Sequence, residues 1–274
     1  MQLSSRPRVK FLRPPVIEVA CGVTFSFPEA LKTAHIGAFW AKIKSDFPKI
    51  QDVQPLAVVT ERSGFSTATT VNFEMTELPP LRRAWFVSAD DGSLVQLQDD
   101  RFLVNWRRVA GNDPFKYPSY EVVIERFHTL WSQFQAFAAE VGLGQPTIRQ
   151  LELVYVNAIA SNEALPGGLE NVLVDHIRST AGPRFLPHPE VINWQSSYSL
   201  GEDLGRLHVV AQTAMKSGTN ISNLRLDLTA RGLPQDTGAS GIAGWFDLAH
   251  EWITHGFADV TTPEAQRILW ERQQ

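Results

Sequence analysis

Two stretches of the chain alternate apolar and polar residues over ten or more positions, at about residues 16–27 and 149–160. A period of two is the pattern of a β-strand that buries one face. Each stretch precedes a helical segment, a group of shorter strands and a long amphipathic helix, so we predict two copies of one unit. The predicted inner faces are Ile17, Val19, Cys21, Val23 and Phe25 in the first strand, and Leu151, Leu153, Tyr155, Asn157 and Ile159 in the second.

Helices are predicted where apolar residues recur every three or four positions. The first opens after Pro28 and closes at Pro48. A longer helix begins at Ser119, a residue suited to capping an N-terminus, and ends at Gly142. Further helices are predicted over about 167–179 and 242–257 and after Pro263.

Shorter alternating runs separate these helices and predict a meander of strands in each half. Asp91-Gly92 is a strong hairpin signal, and a second hairpin is expected at Asp99-Asp100. The predicted strands cover about 51–61, 65–75, 83–90 and 93–108 in the first half, and about 191–200, 205–215 and 222–231 in the second.

This order of elements favours an α+β fold built by tandem duplication of a β-α-β-meander-α unit. Antiparallel sheets would carry helices on one face, as in the TATA-binding-protein-like arrangement, a comparison of folds that implies no function. The second copy lacks one strand. The predicted divisions are a basic leader (1–13), a first repeat (14–147) and a second repeat with a tail helix (148–274).

Composition narrows the classes of partner and compartment. A net charge of -4 over 274 residues argues against a nucleic-acid-binding surface, except through the basic leader. The single cysteine, Cys21, excludes an intrachain disulfide, and its place among apolar strand residues predicts an inert core thiol. No apolar run is long enough to span a membrane, and no secretory signal opens the chain, so we expect a cytoplasmic protein.

Polar residues out of phase with the strand cores are the candidate binding residues. Asn105 and Arg107 alternate with Trp106, which is predicted to be buried, and Arg225 alternates with leucines. Arginines on such a face can bind a carboxylate or phosphate in a bidentate manner, whereas the commoner interpretation is a solvated face or internal ion pairs. The residues expected to share this face are Asn105, Arg107, Arg225, Asp227, Arg231, Glu18 and Glu152.

Two histidines beside the apolar stripes of the long helices, His128 and His250, are the other candidates. They could face a ligand across the seam between the halves, although packing at the core edge is the commoner role of such residues. His250 and His255 are five residues apart, so they cannot share a metal as the H-E-x-x-H motif does. We find no nucleotide-binding, nucleophile-elbow or two-metal motif, and therefore expect no catalytic residue, metal or cofactor.

Several strings resemble a sporadically distributed bacterial family of about this length. They are Pro14-Pro15-Val16-Ile17-Glu18, Phe102-Leu103-Val104-Asn105-Trp106-Arg107, Tyr117-Pro118-Ser119-Tyr120-Glu121 and Leu153-Val154-Tyr155-Val156-Asn157, with Leu226-Asp227-Leu228, His250 and Phe257 further on. The resemblance covers nearly the whole chain and implies a shape rather than an activity or cofactor. A scattered distribution is typical of mobile or defence-linked genes.

Two functions follow as hypotheses. The first is a non-enzymatic cytoplasmic binding or regulatory protein, whose partner is a protein encoded nearby in a toxin–antitoxin or phage-defence locus. The second is an enzyme or sensor that binds a small anionic ligand in the seam between the repeats. An enclosed cavity with convergent polar groups would favour the ligand, and an open sheet face would favour the protein partner.

Overall fold

The computed structural model describes residues 9–57, 59–61, 82–109, 117–160, 169–174, 191–201, 203–215 and 222–273. Its strands are β1 (Lys10–Phe11), β2 (Val16–Ser26), β3 (Lys49–Val53), β4 (Arg83–Val87), β5 (Ser93–Gln98), β6 (Arg101–Arg107), β7 (Thr147–Ala160), β8 (Asn193–Ser199), β9 (Arg206–Met215), β10 (Ser222–Gly232) and β11 (Arg272–Gln273). Its α-helices are α1 (Thr33–Ile43), α2 (Tyr120–Glu140), α3 (Ala239–Val260) and α4 (Pro263–Ile268), and Leu169–Val172 forms a 3-10 turn.

Nine of these strands form one antiparallel sheet in the order β3-β4-β5-β6-β2-β7-β10-β9-β8. The two long alternating strands, β2 and β7, pair with each other at its centre, with Cys21 opposite Leu153. On its other side β2 pairs with β6, and β7 pairs with β10. The predicted α+β class, with its antiparallel sheet, is confirmed.

Helices α1, α2 and α3 pack against one face of this sheet. Phe39 of α1 and Phe134 of α2 both contact the Phe102 ring on β6, and Gly256 of α3 lies against Leu207 and Leu228. The alternation in β2 explains this face, because Val19, Cys21, Val23 and Phe25 are each at most 2 % exposed. None of the helices in the described ranges combines the length and apolar composition needed to cross a membrane.

The strand predicted over 51–61 is wrong beyond Val53, where β3 ends. Pro55 has no backbone N–H to donate to a ladder, so the chain leaves the sheet there. The predicted strand over 65–75 lies outside the described residues. Of the helix predicted over 167–179, the described part contains only the 3-10 turn.

Helix α2 begins directly after Ser119, as predicted, but the serine side chain makes no capping hydrogen bond. Its C-terminus follows the prediction more closely. Gly142 adopts a φ of 78°, a left-handed conformation that glycine tolerates well, and its N–H donates to the carbonyl of Ala139.

The described part of the basic leader, from Val9 onward, belongs to the folded body. Strand β1 pairs with β11, and Arg13 forms an ion pair with Glu271 at 3.2 Å. The Phe11 ring lies edge-on to Phe257 and Trp270, at centroid distances of 5.3 and 6.2 Å. This aromatic packing fixes a segment whose charges alone predict a solvated arm.

Candidate functional site

The sheet face opposite the helices, called the helix-free face from here on, carries the strand residues predicted to bind. Strand register places Glu18 opposite Arg107, and Glu152 opposite Arg231. These residues are out of phase with core residues such as Val19 and Leu153. Asn105, Asp227 and Arg225 lie on the same face by the same alternation. The sequence therefore assigned these side chains to the correct side of the sheet.

A chain of hydrogen bonds crosses the first half of the helix-free face. Arg83 Nη1 and Trp85 Nε1 donate to Gln96 Oε1 at 2.9 and 3.0 Å. Gln96 Nε2 donates to Asn105 Oδ1 at 2.9 Å, and Asn105 Nδ2 donates to Glu18 Oε1 at 2.5 Å. Gln96 and Asn105 are buried, so the network satisfies polar groups that would otherwise be costly to bury.

Arg107 lies beside this network and is held by the turn between β4 and β5. Its Nε donates to the carbonyl of Asp91 at 2.8 Å, and its guanidinium lies 5.9 Å from the centre of the Trp85 ring. Trp106 is only partly buried, whereas the sequence predicted a largely buried ring. Its indole packs edge-on against Tyr117 at 5.3 Å, at the margin of the core.

In the second half, each predicted arginine is paired with a carboxylate of the same face. Arg225 Nε donates to both oxygens of Asp227, at 3.0 and 2.9 Å, and Arg231 pairs with Glu152. Burial raises the pKa of Asp227, and the charge of Arg225 offsets only part of this effect. These contacts are the internal ion pairs of the commoner interpretation, and they occupy the groups that an anion would need.

Residues 54–57 and 59–61, called the strap from here on, cross the helix-free face after β3. Gln98 binds its first part: Leu56 N–H donates to Gln98 Oε1 at 2.8 Å, and Gln98 Nε2 donates to the Leu56 carbonyl at 3.2 Å. Gln150 binds its second part: its Oε1 accepts from Glu61 N–H at 2.9 Å, and its Nε2 donates to the Val59 carbonyl at 3.0 Å. The strap is thus bound through its backbone by side chains of β5 and β7.

The strap ends in a partly buried carboxylate contact. Glu61 pairs with Arg206 Nη1 at 3.1 Å and with the His208 imidazole, both on β9, and Ser197 Oγ lies 2.8 Å from the other nitrogen of that ring. Burial acts to raise the pKa of Glu61, but the hydrogen bonds and charges of His208 and Arg206 outweigh it and lower the pKa below its ordinary value. The carboxylate therefore stays ionised where it is bound.

Two guanidinium groups near the strap keep unpartnered donors. Arg101 is 7 % exposed, and its Nε and that of Arg83 are buried without a hydrogen-bond partner. Desolvation and the charge of Arg101 both lower the pKa of Arg83. Arg101 Nη2 donates to the Ala57 carbonyl of the strap at 3.4 Å.

The two candidate histidines lie on the opposite side of the sheet, so the seven predicted residues do not form one site. The His250 ring stacks on Tyr120 at 3.9 Å with the planes 6° apart, and Tyr120 Oη donates to Asp247 at 3.1 Å. His128 lies edge-on to Phe246 at 6.3 Å. Rings from α2 and α3 therefore meet at these positions of the seam, which favours the packing role of both histidines.

The Cys21 thiol lies in the core, away from the polar residues of the helix-free face. Cys21 is fully buried, and burial raises the pKa of its thiol. Within the described ranges, no group of three or more histidine, cysteine, aspartate or glutamate residues is arranged to hold a metal ion.

The sequence analysis missed the residues that hold the strap. His208 and Arg206 carried a usable signal, since they alternate with Leu207 and Val209 and so belong to the helix-free face. Gln98 and Gln150 alternate in the same way with Leu97 and Leu151, but their partners could not be predicted, because the contacts join segments 42 and 89 residues apart in the chain.

Comparisons with protein-family models, with curated proteins and with solved structures each returned no match to this chain.

Proposed function

We propose that this chain is a non-enzymatic binding protein that takes an extended protein segment on its helix-free face. The carrying observation is the strap, a segment outside any strand that is bound there through its backbone by Gln98 and Gln150. Primary amide side chains donate and accept at once, so they pair with an extended backbone as a neighbouring strand would.

The charges on the helix-free face favour a protein partner. They argue against a small anion bound at Arg225 and Arg231. Arg225 and Arg231 are neutralised by Asp227 and Glu152, so an anion would have to displace a bound carboxylate. On the same face, four residues beyond His208 along β9, Gln212 is exposed and lies in register with the exposed Arg225 of β10. A polar, partly exposed surface of this kind is typical of a non-obligate interface.

Tandem duplication is part of this proposal. Strands β2 and β7 open the two halves and meet antiparallel, β6 and β10 flank them, and α2 and α3 follow those flanking strands. In a TATA-binding-protein-like arrangement, β5 and β4 would correspond to β9 and β8, with no described counterpart for β3. Such pairing creates one broad face across both repeats, wide enough for a partner to contact both.

The partner we propose is the product of a flanking gene in a toxin–antitoxin or phage-defence locus. The resemblance to a sporadically distributed bacterial family supports this setting. The test is co-expression with each flanking gene product, with a photo-crosslinking amino acid at Gln212 on the helix-free face or, as the control, at Glu125 on the exposed side of α2. We expect a cross-linked product from position 212 alone.

Two results would reject this function: no stable complex with either flanking product, or cross-links from position 125 alone. Circular dichroism of both labelled proteins checks that the fold is intact.

A small anionic ligand is the second candidate, and the unpartnered Nε atoms of Arg83 and Arg101 favour it. Inorganic phosphate is the simplest probe. On this hypothesis phosphate raises the melting temperature of the wild-type protein, and the increase disappears in Arg101→Gln. Equal behaviour of the two proteins would remove this candidate.

A further inference from the structure

The strap is bound by two kinds of contact. Most are to its backbone, which any sequence offers, and one is to the side chain of Glu61. In the described part of the strap, Gln98, Arg101 and Gln150 hydrogen-bond to backbone groups, at Leu56, Ala57, Val59 and Glu61. The exception is the Glu61 side chain, which meets Arg206 and His208. A segment bound here therefore meets the face through backbone groups and one carboxylate, with the side chains at the positions of Leu56 and Val59 half-buried.

The spacing of these contacts defines the segment further. Gln98 binds residue 56 and β9 binds the side chain of residue 61, so the carboxylate comes five positions after the residue bound by Gln98. An extended chain covers about 3.3 Å per residue, which gives roughly 16 Å across the sheet. A partner would have to present an acidic residue five positions after the residue held by Gln98.

We propose that the strap is a built-in competitor for the partner's binding segment, which is an extended peptide with an acidic residue at this spacing. This inference rests on the proposed function and names the chemistry of its partner. Because the strap belongs to the same chain, its effective concentration at the helix-free face is high, and a partner must displace it. The bound strap and the bound partner are thus mutually exclusive.

The strap is suited to exchange because it is held by side chains rather than by a strand ladder. Its residues 54–57 and 59–61 belong to no strand, and Ala57 and Thr60 are exposed. The carboxylate of Glu61 is its strongest anchor, since it combines charge with hydrogen bonds to two side chains. Replacing Glu61 changes the strap and none of the residues of the helix-free face that bind it.

The test uses the strap's own sequence as the probe. A fluorescein-labelled peptide, QPLAVVTE, which corresponds to residues 54–61, is titrated by anisotropy into wild type and Glu61→Gln. We expect Glu61→Gln to bind it at least about tenfold more tightly, because its own strap competes less. A peptide ending in glutamine instead of glutamate should bind at least about tenfold more weakly.

Glu140→Gln is the matched control protein, since it removes an exposed glutamate that pairs with Lys42 away from the helix-free face. It should bind the peptide like wild type. Hydrogen exchange of the Leu56 and Glu61 amides, which donate to Gln98 and Gln150, reports release of the strap directly. Exchange at both amides should be faster in Glu61→Gln than in wild type or the control.

Several results would overturn the inference. Released strap amides without tighter peptide binding would show that the strap does not compete, and unchanged exchange would show that Glu61 is not its anchor. Equal affinity for the two peptides would show that the carboxylate is not recognised. If Glu61→Gln does not fold, Leu56→Pro, which removes the N–H donated to Gln98, is tested by the same criteria.

The outcome is separable from that of the proposed function. A flanking gene product that cross-links at position 212, together with a peptide that fails to bind, rejects the competing strap and leaves the binding face. A peptide that binds as expected without any flanking complex rejects the proposed partner alone.

Discussion

At the scale of single residues, four carboxylates of the helix-free face each have a partner from a neighbouring position or segment. Glu18 accepts from Asn105, Glu152 pairs with Arg231, Asp227 with Arg225, and Glu61 with Arg206 and His208. The two that join neighbouring strands, Glu18 with Asn105 and Glu152 with Arg231, are of a kind that contributes about 0.2–1 kcal/mol each. Their main effect is to fix which side chains remain available to a partner.

Substitution of two aromatic residues on β6 should lower the free energy of unfolding by different amounts, because one lies in the core and the other at its margin. We expect Phe102→Ala to lower the free energy of unfolding by about 3–5 kcal/mol, as for a fully buried ring. Trp106→Ala should cost about 1–3 kcal/mol, because the partly buried indole removes less apolar surface from water. Chemical denaturation measures both, and equal losses would contradict the difference in burial.

His128 should make stability depend on pH below neutrality. Burial lowers the pKa of its imidazole, and the charge of Asp247 opposes this only in part. The unfolded chain therefore takes up the proton first, so the free energy of unfolding should fall as the pH drops below about 6.5. Denaturation at pH 7.5 and 5 should show a smaller fall in His128→Asn than in wild type.

His255→Asn, a substitution on α3, is the control for that experiment. If His128→Asn and the control show the same fall as wild type, the proton taken up on unfolding does not belong to His128.

Alternation in the sequence was enough to place residues on the correct face. It could not give the partners of those residues, because pairing depends on which strands become neighbours. Arg231 and Glu152 are 79 residues apart and meet only because β10 pairs with β7. The ring of His250 likewise meets Tyr120 only after two helices pack side by side.

At the scale of elements, the end of β10 is fixed by a close approach of two backbones. A Cβ atom on Gly232 would lie 1.9 Å from the carbonyl oxygen of Leu204, so Gly232→Ala forces the backbone apart. We expect a loss of at least about 3 kcal/mol in unfolding free energy, which is large for a single methyl group. Thermal or chemical denaturation measures it.

Gly37→Ala is the matched control, since nothing lies within 4 Å of a Cβ at that position of α1. It should leave the protein unchanged or more stable by up to about 1 kcal/mol, because alanine favours helices. A similar loss in both variants would mean that the contact between Gly232 and Leu204 is not the cause.

The strap should loosen in acid. The pKa of Glu61 is lowered in the folded state, so its contribution is complete above the ordinary glutamate value and is lost as the pH falls through the lowered one. NMR signals of the Gln98 and Gln150 side-chain amides should therefore shift together below about pH 4. In Glu61→Gln this joint transition should be absent, and its persistence there would assign it to another group.

Sequence patterns predicted the long elements well and the strap not at all. Strands β5 and β6 and helices α2 and α3 fall within a few residues of their predicted ranges, because burial of one face enforces a regular period. The strap contains apolar residues in a pattern that resembles a strand. Its conformation is set by distant glutamines instead, which no local pattern encodes.

At the scale of the whole molecule, the sheet order could be anticipated only in outline. Two similar series of elements predicted helices on one face, and the structure adds that the opening strands of both halves lie at the centre. Net charge gave no information about the sheet order, since charge bears on partners and solubility rather than on topology. The pairing of β1 with β11 had no sequence signal beyond Phe11 among basic residues.

The central pairing of β2 with β7 has a consequence for synthesis of the chain. Val16 pairs with Asn157, so about 140 residues must be translated before β2 gains its second neighbour. Until then the nascent first half presents an unpaired, valine-rich edge, which is a template for intermolecular pairing. On a crowded polysome, another nascent copy of β2 competes with β7 for that edge, and slow translation between residues 144 and 160 prolongs the competition.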